Sequence, residues 1–319
     1  MNSWIIIILW LNFCNSETSV QFQYPLHPTQ RPRRPRDERV PFQHAVKSLS
    51  PFDGFDEPSV KVGHRRRSTV IGVVACEALY NEIERLAPDA TVRYVPPDRH
   101  EFPVNVPDET AVSSALQRRV DAIDDASLDR VVVAYADDGE SLTGLRSEHA
   151  PLVVARSTDC ISTFLPASES GAGGERKEFG TYYLSRGWID CAVDSYKLYC
   201  AYAGDERDLL DAFDRAASTH ADLRVTWNEG EMYERALDAR ERVTGDQVGR
   251  FFHRIVQYYD DVTLLDTGDL YRVHHEYAEQ FRAFLERLSR DHGDGHQVDL
   301  AVTDADEAVL RALLSSDPD

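Results

Sequence analysis

The stretch Val70-Ile71-Gly72-Val73-Val74-Ala75-Cys76-Glu77 decides the fold. From Val70 to Ala75 it is an apolar, β-branched run with no alternation, the pattern of a strand covered on both faces. Downstream, Ala78 to Leu86 places Leu79, Ile83 and Leu86 at helical spacing, and Pro88 stops the helix. Thr91 to Val95 reads as a second strand. Asp108 to Ile123 reads as a helix capped by Asp108. Arg130 to Tyr135, Leu152 to Ala155 and Thr181 to Leu184 read as further strands. The second half is more helical: Asp208 to Ala217, Glu231 to Arg242, Gln247 to Tyr259, Glu276 to Arg290 and Glu307 to Leu314. Strands Val262 to Leu265 and Gln297 to Val302 are set among these helices.

Strand–helix alternation with short connections predicts an α/β fold. The expected architecture is a layered sandwich, Rossmann-like in broad outline, with a mainly parallel β-sheet flanked by helices. Residues 69–319 are read as one such domain. In such sheets the ligand crevice lies beyond the carboxyl ends of the strands. The polar residues there are Cys76-Glu77, His100, Asp137 through Glu140, Arg156 through Cys160, Ser185 and Asp266-Thr267-Gly268.

Charge narrows the class. The 319 residues hold 35 Lys+Arg against 55 Asp+Glu, a formal net charge of −20. Nucleic acid is excluded as a partner on this ground, because a phosphate backbone is bound by clustered Lys and Arg. An anionic membrane surface is excluded likewise. Lys47, Lys61, Lys177 and Lys197 are the only lysines. An acidic, Lys-poor body stays hydrated in concentrated salt, where screening relieves its self-repulsion. The expected setting is the cytoplasm of an extreme halophile.

Residues 1–68 differ from the body. Trp4 to Phe13 is almost all apolar but too short for a bilayer span of ~20 residues. No Lys or Arg precedes it, so it is a poor signal peptide. A Pro- and Arg-rich stretch follows, including Arg31-Pro32-Arg33-Arg34-Pro35-Arg36. It lacks periodicity and reads as disordered. Residues 1 to about 60 are read as translated from a wrongly chosen start, with Val60 or Val62 as the true initiator. The rival reading is a genuine tail or membrane anchor.

Several residues at the strand ends can carry chemistry. A thiol at a strand end beside a helix N-terminus is ready to bind metal or act as a nucleophile. Cys76 and Cys160 stand at such places, while Cys191 and Cys200 read as small buried hydrophobes. With His100 they make a set that zinc accepts, although no C-x-x-C spacing supports it. Asp137, Asp138 and Glu140 suit a metal ligand or general base, but in so acidic a chain they read more readily as solvated charges. His274-His275 reads as a surface pair. Gly171 to Gly174 lacks the Lys-Ser/Thr of a phosphate loop, so no nucleotide cofactor is expected. Gly180 to Trp188 reads as a strand and a Gly turn presenting an aromatic.

These strings together resemble the domain of unknown function 1638 family. The resemblance rests on Ala75-Cys76-Glu77, His100-x-x-Pro103, Tyr135 through Gly139 to Gly144-Leu145, Asp159-Cys160-Ile161 with Phe164-Leu165, and Gly180 to Trp188. It runs from about Thr69 to Trp188 and is weaker beyond. The family pattern has a Cys where Asp138 stands and a His where Thr158 stands. It implies a metal cluster, here Cys76, His100, Asp138 and Cys160, with zinc or iron as the fitting ion. Tyr135, Gly139, Asp159, Thr181, Tyr183 and Trp188 then wall a crevice for a small molecule. Two alternatives stay open: a metal-free thiol enzyme with Cys160 as nucleophile and His100 as base, and a non-catalytic binding domain.

Overall fold

The computed structural model describes residues 69–97, 110–135, 142–154, 159–165 and 178–315. His100, Asp137, Asp138, Gly139, Glu140 and Thr158 lie outside them, as does everything read from residues 1–68. Among the described residues no helix is long and apolar enough to cross a membrane.

Two parallel sheets form the frame. The first has four strands in the order β2-β1-β3-β4: β1 is Ile71–Cys76, β2 Thr91–Val95, β3 Arg130–Ala134 and β4 Leu152–Val154. The apolar run that opened the sequence reading is the reason β1 lies near the centre: all six of its residues are buried, as are all five of β3. In β2, exposed and half-buried residues alternate, as an edge strand allows. Between β1 and β2 comes a 3-10 turn, Glu77–Leu79, and helix α1, Tyr80–Leu86; α2, Thr110–Asp121, precedes β3. Asp124 fastens the turn before β4, accepting hydrogen bonds from Ser147 Oγ and from the backbone of Glu148, His149 and Ala150.

The second sheet has the order β5-β6-β7, with β5 Thr181–Ser185, β6 Asp261–Asp266 and β7 Asp299–Asp304. Six helices lie between or after its strands: α3 Arg186–Cys191, α4 Ser195–Ala203, α5 Arg207–Thr219, α6 Glu231–Ala239, α7 Gly245–Val256 and α8 Arg272–His292. Helix α9, Ala308–Leu314, follows β7 and returns to the first sheet, where Arg130 Nη2 of β3 donates to the carbonyl of Leu313 at 3.3 Å. Strand β7 closes the described sheet as an exposed edge; an aspartate stands at each end and Val302 is 50% exposed.

The parallel α/β architecture is the one the sequence predicts, divided between two sheets. Its largest departure is at Arg186–Ala203, where α3 and α4 replace the expected Gly turn. Ser185 Oγ accepts the Trp188 amide at 3.2 Å and starts α3 at once. Gly187 therefore sits inside a helix. A Cβ on it would lie 2.1 Å from the carbonyl oxygen of Ala78, so α3 rests backbone to backbone on the turn after β1. This contact locks the second sheet's first helix to the first sheet's central strand.

Candidate functional site

The first sheet orders the strand-end residues. In the order β2-β1-β3-β4 the connections leave β1 in opposite directions, so the switch point lies between the carboxyl ends of β1 and β3. Ala75 pairs with Ala134, which sets Cys76 level with Tyr135 at that point. Cys76 also pairs with Val95, the last residue of β2. In sequence, His100 follows Val95 by five residues and Asp138 follows Tyr135 by three. Cys160 follows the end of β4 and leads into a 3-10 turn, Ile161–Phe164.

Cys76 is 0% exposed and Cys160 3%. Tyr135 is buried too. Asp159 Oδ1 caps the 3-10 turn, accepting from the Ser162 amide at 2.8 Å and the Ser162 hydroxyl at 3.0 Å. Thr181 opens β5 and so lies about 13 Å from the strand's carboxyl end. The Tyr183 hydroxyl accepts the Glu178 amide at 3.2 Å. Trp188 is buried in α3, and its indole N–H has no hydrogen-bond partner among the described residues. Cys191 and Cys200 are buried, as expected, and burial pushes both thiols up, Cys200 to about 12. Among the described residues no group of three or more His, Cys, Asp or Glu side chains gathers at metal-binding range. Of the four expected ligands that survey covers Cys76 and Cys160.

A second polar centre, of which the sequence marks only Ser185, the Gly180 to Trp188 string and Asp266 to Gly268, lies at the carboxyl ends of β5 and β6. Arg186, the first residue of α3, is 1% exposed. Its Nη2 donates to Asp222 Oδ2 at 2.9 Å, to the Asp222 carbonyl at 3.0 Å and to the Tyr80 hydroxyl at 3.2 Å. Its Nη1 donates to the Asp269 carbonyl at 3.1 Å, and the guanidinium stacks 4.7 Å from the Tyr271 ring centroid. One side chain thus joins four segments that are distant in sequence. Asp190 lies one turn along α3, where its carboxylate accepts the Tyr80 hydroxyl at 2.9 Å. Desolvation and the adjoining Asp190 charge raise the Tyr80 phenol far above its usual range. Hydrogen bonds from Tyr271 and Arg186 pull Asp222 down to about 2.

His274 corrects the surface-pair reading: it is wholly buried. The Tyr271 amide donates to its Nδ1 at 2.8 Å, which assigns the proton to Nε2, and Nε2–H donates to Asp190 Oδ1 at 3.0 Å. Both ring nitrogens are engaged, so His274 holds Asp190 in place and is no general base.

Lys197 is also fully buried. Its ammonium donates at 2.6 Å to the carbonyls of both Ile189 and Ala192 and lies 3.7 Å from Asp194. The rings of Tyr277 and Trp227 flank it at 5.0 and 5.4 Å. Asp194 caps α4 through the Tyr196 and Lys197 amides and accepts the Tyr277 hydroxyl at 2.6 Å. Desolvation lowers the Lys197 pKa while Asp194 opposes it. Each charge is answered from within, which marks this centre as structural. The caps Ser185 and Asp194, with Gly204 at the end of α4, were the readable signals for it.

Parallel sheets with polar residues gathered at their strand ends define the class: an α/β protein of the kind that assembles sites along that rim. Within the class, the chain belongs to the family described as "Protein of unknown function (DUF1638)", whose model matches residues 108–294, more than half of its length. The match extends past Trp188 to the end of α8, further than the sequence strings suggested. Cys76 and His100 lie upstream of it. No curated protein and no solved structure matches the chain.

Proposed function

We propose that the chain binds a zinc or iron ion through Cys76, His100, Asp138 and Cys160 and uses that centre on a small molecule in the crevice above the first sheet. The observation that carries this reading is the register at the switch point, where Cys76 ends β1 level with Tyr135 and beside the end of β2. The sequence then supplies one donor beyond the carboxyl end of each strand. Two buried thiols suit a soft or borderline ion, which selects for the thiolate form. A bound ion would supply Lewis acidity at a position left open to a ligand. Tyr135, Gly139, Asp159, Tyr183 and Trp188 remain the proposed crevice residues, Thr181 leaves the set because it opens β5 at the far end of the strand, and the acidic composition supports a cytoplasmic setting. Cys160 as a metal-free nucleophile is the weaker reading, because attack needs an accessible thiolate and Cys160 is 3% exposed.

Elemental analysis of the full chain, purified without chelators beside a Cys76→Ala/Cys160→Ala variant, tests the proposal. Near-stoichiometric zinc or iron in the parent and none in the variant is the expected result. Equal content in the two proteins, or none in either, overturns it.

A further inference from the structure

Glu82 of α1 is 0% exposed. Its Oε1 lies 3.1 Å from the Thr267 hydroxyl, and that hydroxyl lies 2.8 Å from Asp269 Oδ1. Asp269 Oδ2 accepts the side-chain amide of Asn81. Glu82 Oε2 is buried with no hydrogen-bond partner among the described residues.

The proton count does not close. A hydroxyl carries one hydrogen and cannot donate to two carboxylates at once. If both acids are ionised, one of these short contacts sets lone pair against lone pair. One added proton resolves the chain: Glu82 donates to Thr267, and Thr267 donates to Asp269. The surrounding charges put the negative end on Asp269, which lies 3.9 Å from the Arg186 guanidinium. Among the described residues, other groups near Glu82 supply no free cation. Arg85, on its own helix, is bound to Glu307. Glu307, at the foot of α9, also pairs with Arg311 at 2.6 Å. Asp266, at the end of β6, accepts the Gly268 amide at 2.7 Å and adds negative charge. Burial, with Asp269 and Glu307 nearby, pushes the Glu82 carboxyl up to about 7.

We propose that Glu82, Thr267 and Asp269 form a proton-binding site that latches the turn between β6 and α8 onto α1. With the proton bound the chain of hydrogen bonds is complete. When it leaves, Thr267 can serve only one acid, the two carboxylates repel, and the turn releases. Gly268, at φ +89°, is the pliant point of the turn. The same turn presents the Asp269 carbonyl to Arg186 and leads to the Tyr271 ring that covers it. Release therefore loosens the Arg186 centre, and neutral pH sits at the point of change. The sign follows from a raised acid. The latch's contribution is fully present below the ordinary carboxyl value of 4.5 and is lost as pH rises through about 7.

The test follows thermal unfolding and amide exchange of the full chain from about pH 5 to about pH 8.5, beside Glu82→Gln and Thr267→Val. Glutamine keeps a donor towards Thr267 at every pH. Expected is a parent Tm that falls relative to Glu82→Gln as pH rises, with exchange over residues 266–271 speeding by about tenfold or more beyond the intrinsic pH effect. Parallel Tm curves for parent and Glu82→Gln overturn the proposal. If Glu82→Gln does not fold, infrared spectroscopy of the parent decides. A protonated carboxyl band that is lost as pH rises through 7, and is displaced in Thr267→Val, supports the site; its absence overturns it.

Discussion

The two sheets differ in what lies buried towards the carboxyl ends of their strands. At the second sheet the charges answer one another. Arg186 faces Asp190, Asp222 and Asp269, and Lys197 faces Asp194 and two backbone carbonyls. At the first sheet the described candidates are two buried thiols, Cys76 at the end of β1 and Cys160 before a 3-10 turn, which the proposed metal would unite. A closed set of charges fixes a structure. A set contributed by separate loops can accept something from outside. The burial of a polar group therefore says little about function until its partners have been counted.

Four experiments break or sharpen that contrast. The largest effect is expected at the second sheet: Asp194→Ala leaves the Lys197 ammonium buried without its counter-ion and uncaps α4, costing about 4 kcal/mol in urea unfolding. A loss below about 1 kcal/mol would show that the two carbonyls suffice for Lys197 and that the centre is not closed by charge. Next comes the contact joining the sheets. Gly187→Ala drives a methyl into the Ala78 carbonyl and costs about 3 kcal/mol, measured as a fall in Tm. At the first sheet, zinc at a hundred times its dissociation constant should stabilise the parent by about 2.7 kcal/mol and leave Cys76→Ala/Cys160→Ala unmoved. Equal stabilisation of both would place the ion elsewhere. The smallest effect is at Asp222, whose side chain is 58% exposed. Its lowered pKa means that its contribution is present above the ordinary carboxylate value and fades as pH falls from about 4 towards 2. With solvent screening that contribution stays below about 1 kcal/mol, so Asp222→Asn should only slightly flatten the acid limb of a pH–stability curve.

The legibility of the sequence follows the same division. β1 and β3 are readable because a parallel strand buried on both faces is a continuous apolar run, β5 and β6 because β-branched, aromatic and apolar residues cluster in them, and each begins within one residue of its expected place. The amphipathic helices are readable by their apolar stripe; α7, Gly245–Val256, has one together with the capping pair Thr244 and Gln247. α3 and α4 are not readable in that way. In α3 every residue is buried, and in α4 six of nine are, so burial leaves too little of a polar face to give a 3.6-residue period. His274 is misread for another reason: its partner, Asp190, is 84 residues away, and no local spacing records such a pair. The position of Cys76 is readable because it needs only the end of β1. The Arg186 centre needs the packing of four segments.

Strand β7 has a consequence for how copies of the protein avoid one another. An exposed edge is a template for another strand, and Val302 adds an apolar side chain to it. Two such edges meeting antiparallel, centred on Ala301 and Val302, would set Asp299 of one against Asp304 of the other, twice over. Opposed like charges weaken a cross-strand pair. The two aspartates act as gatekeepers against edge-to-edge assembly, and acid or concentrated salt, by neutralising or screening them, takes that guard away.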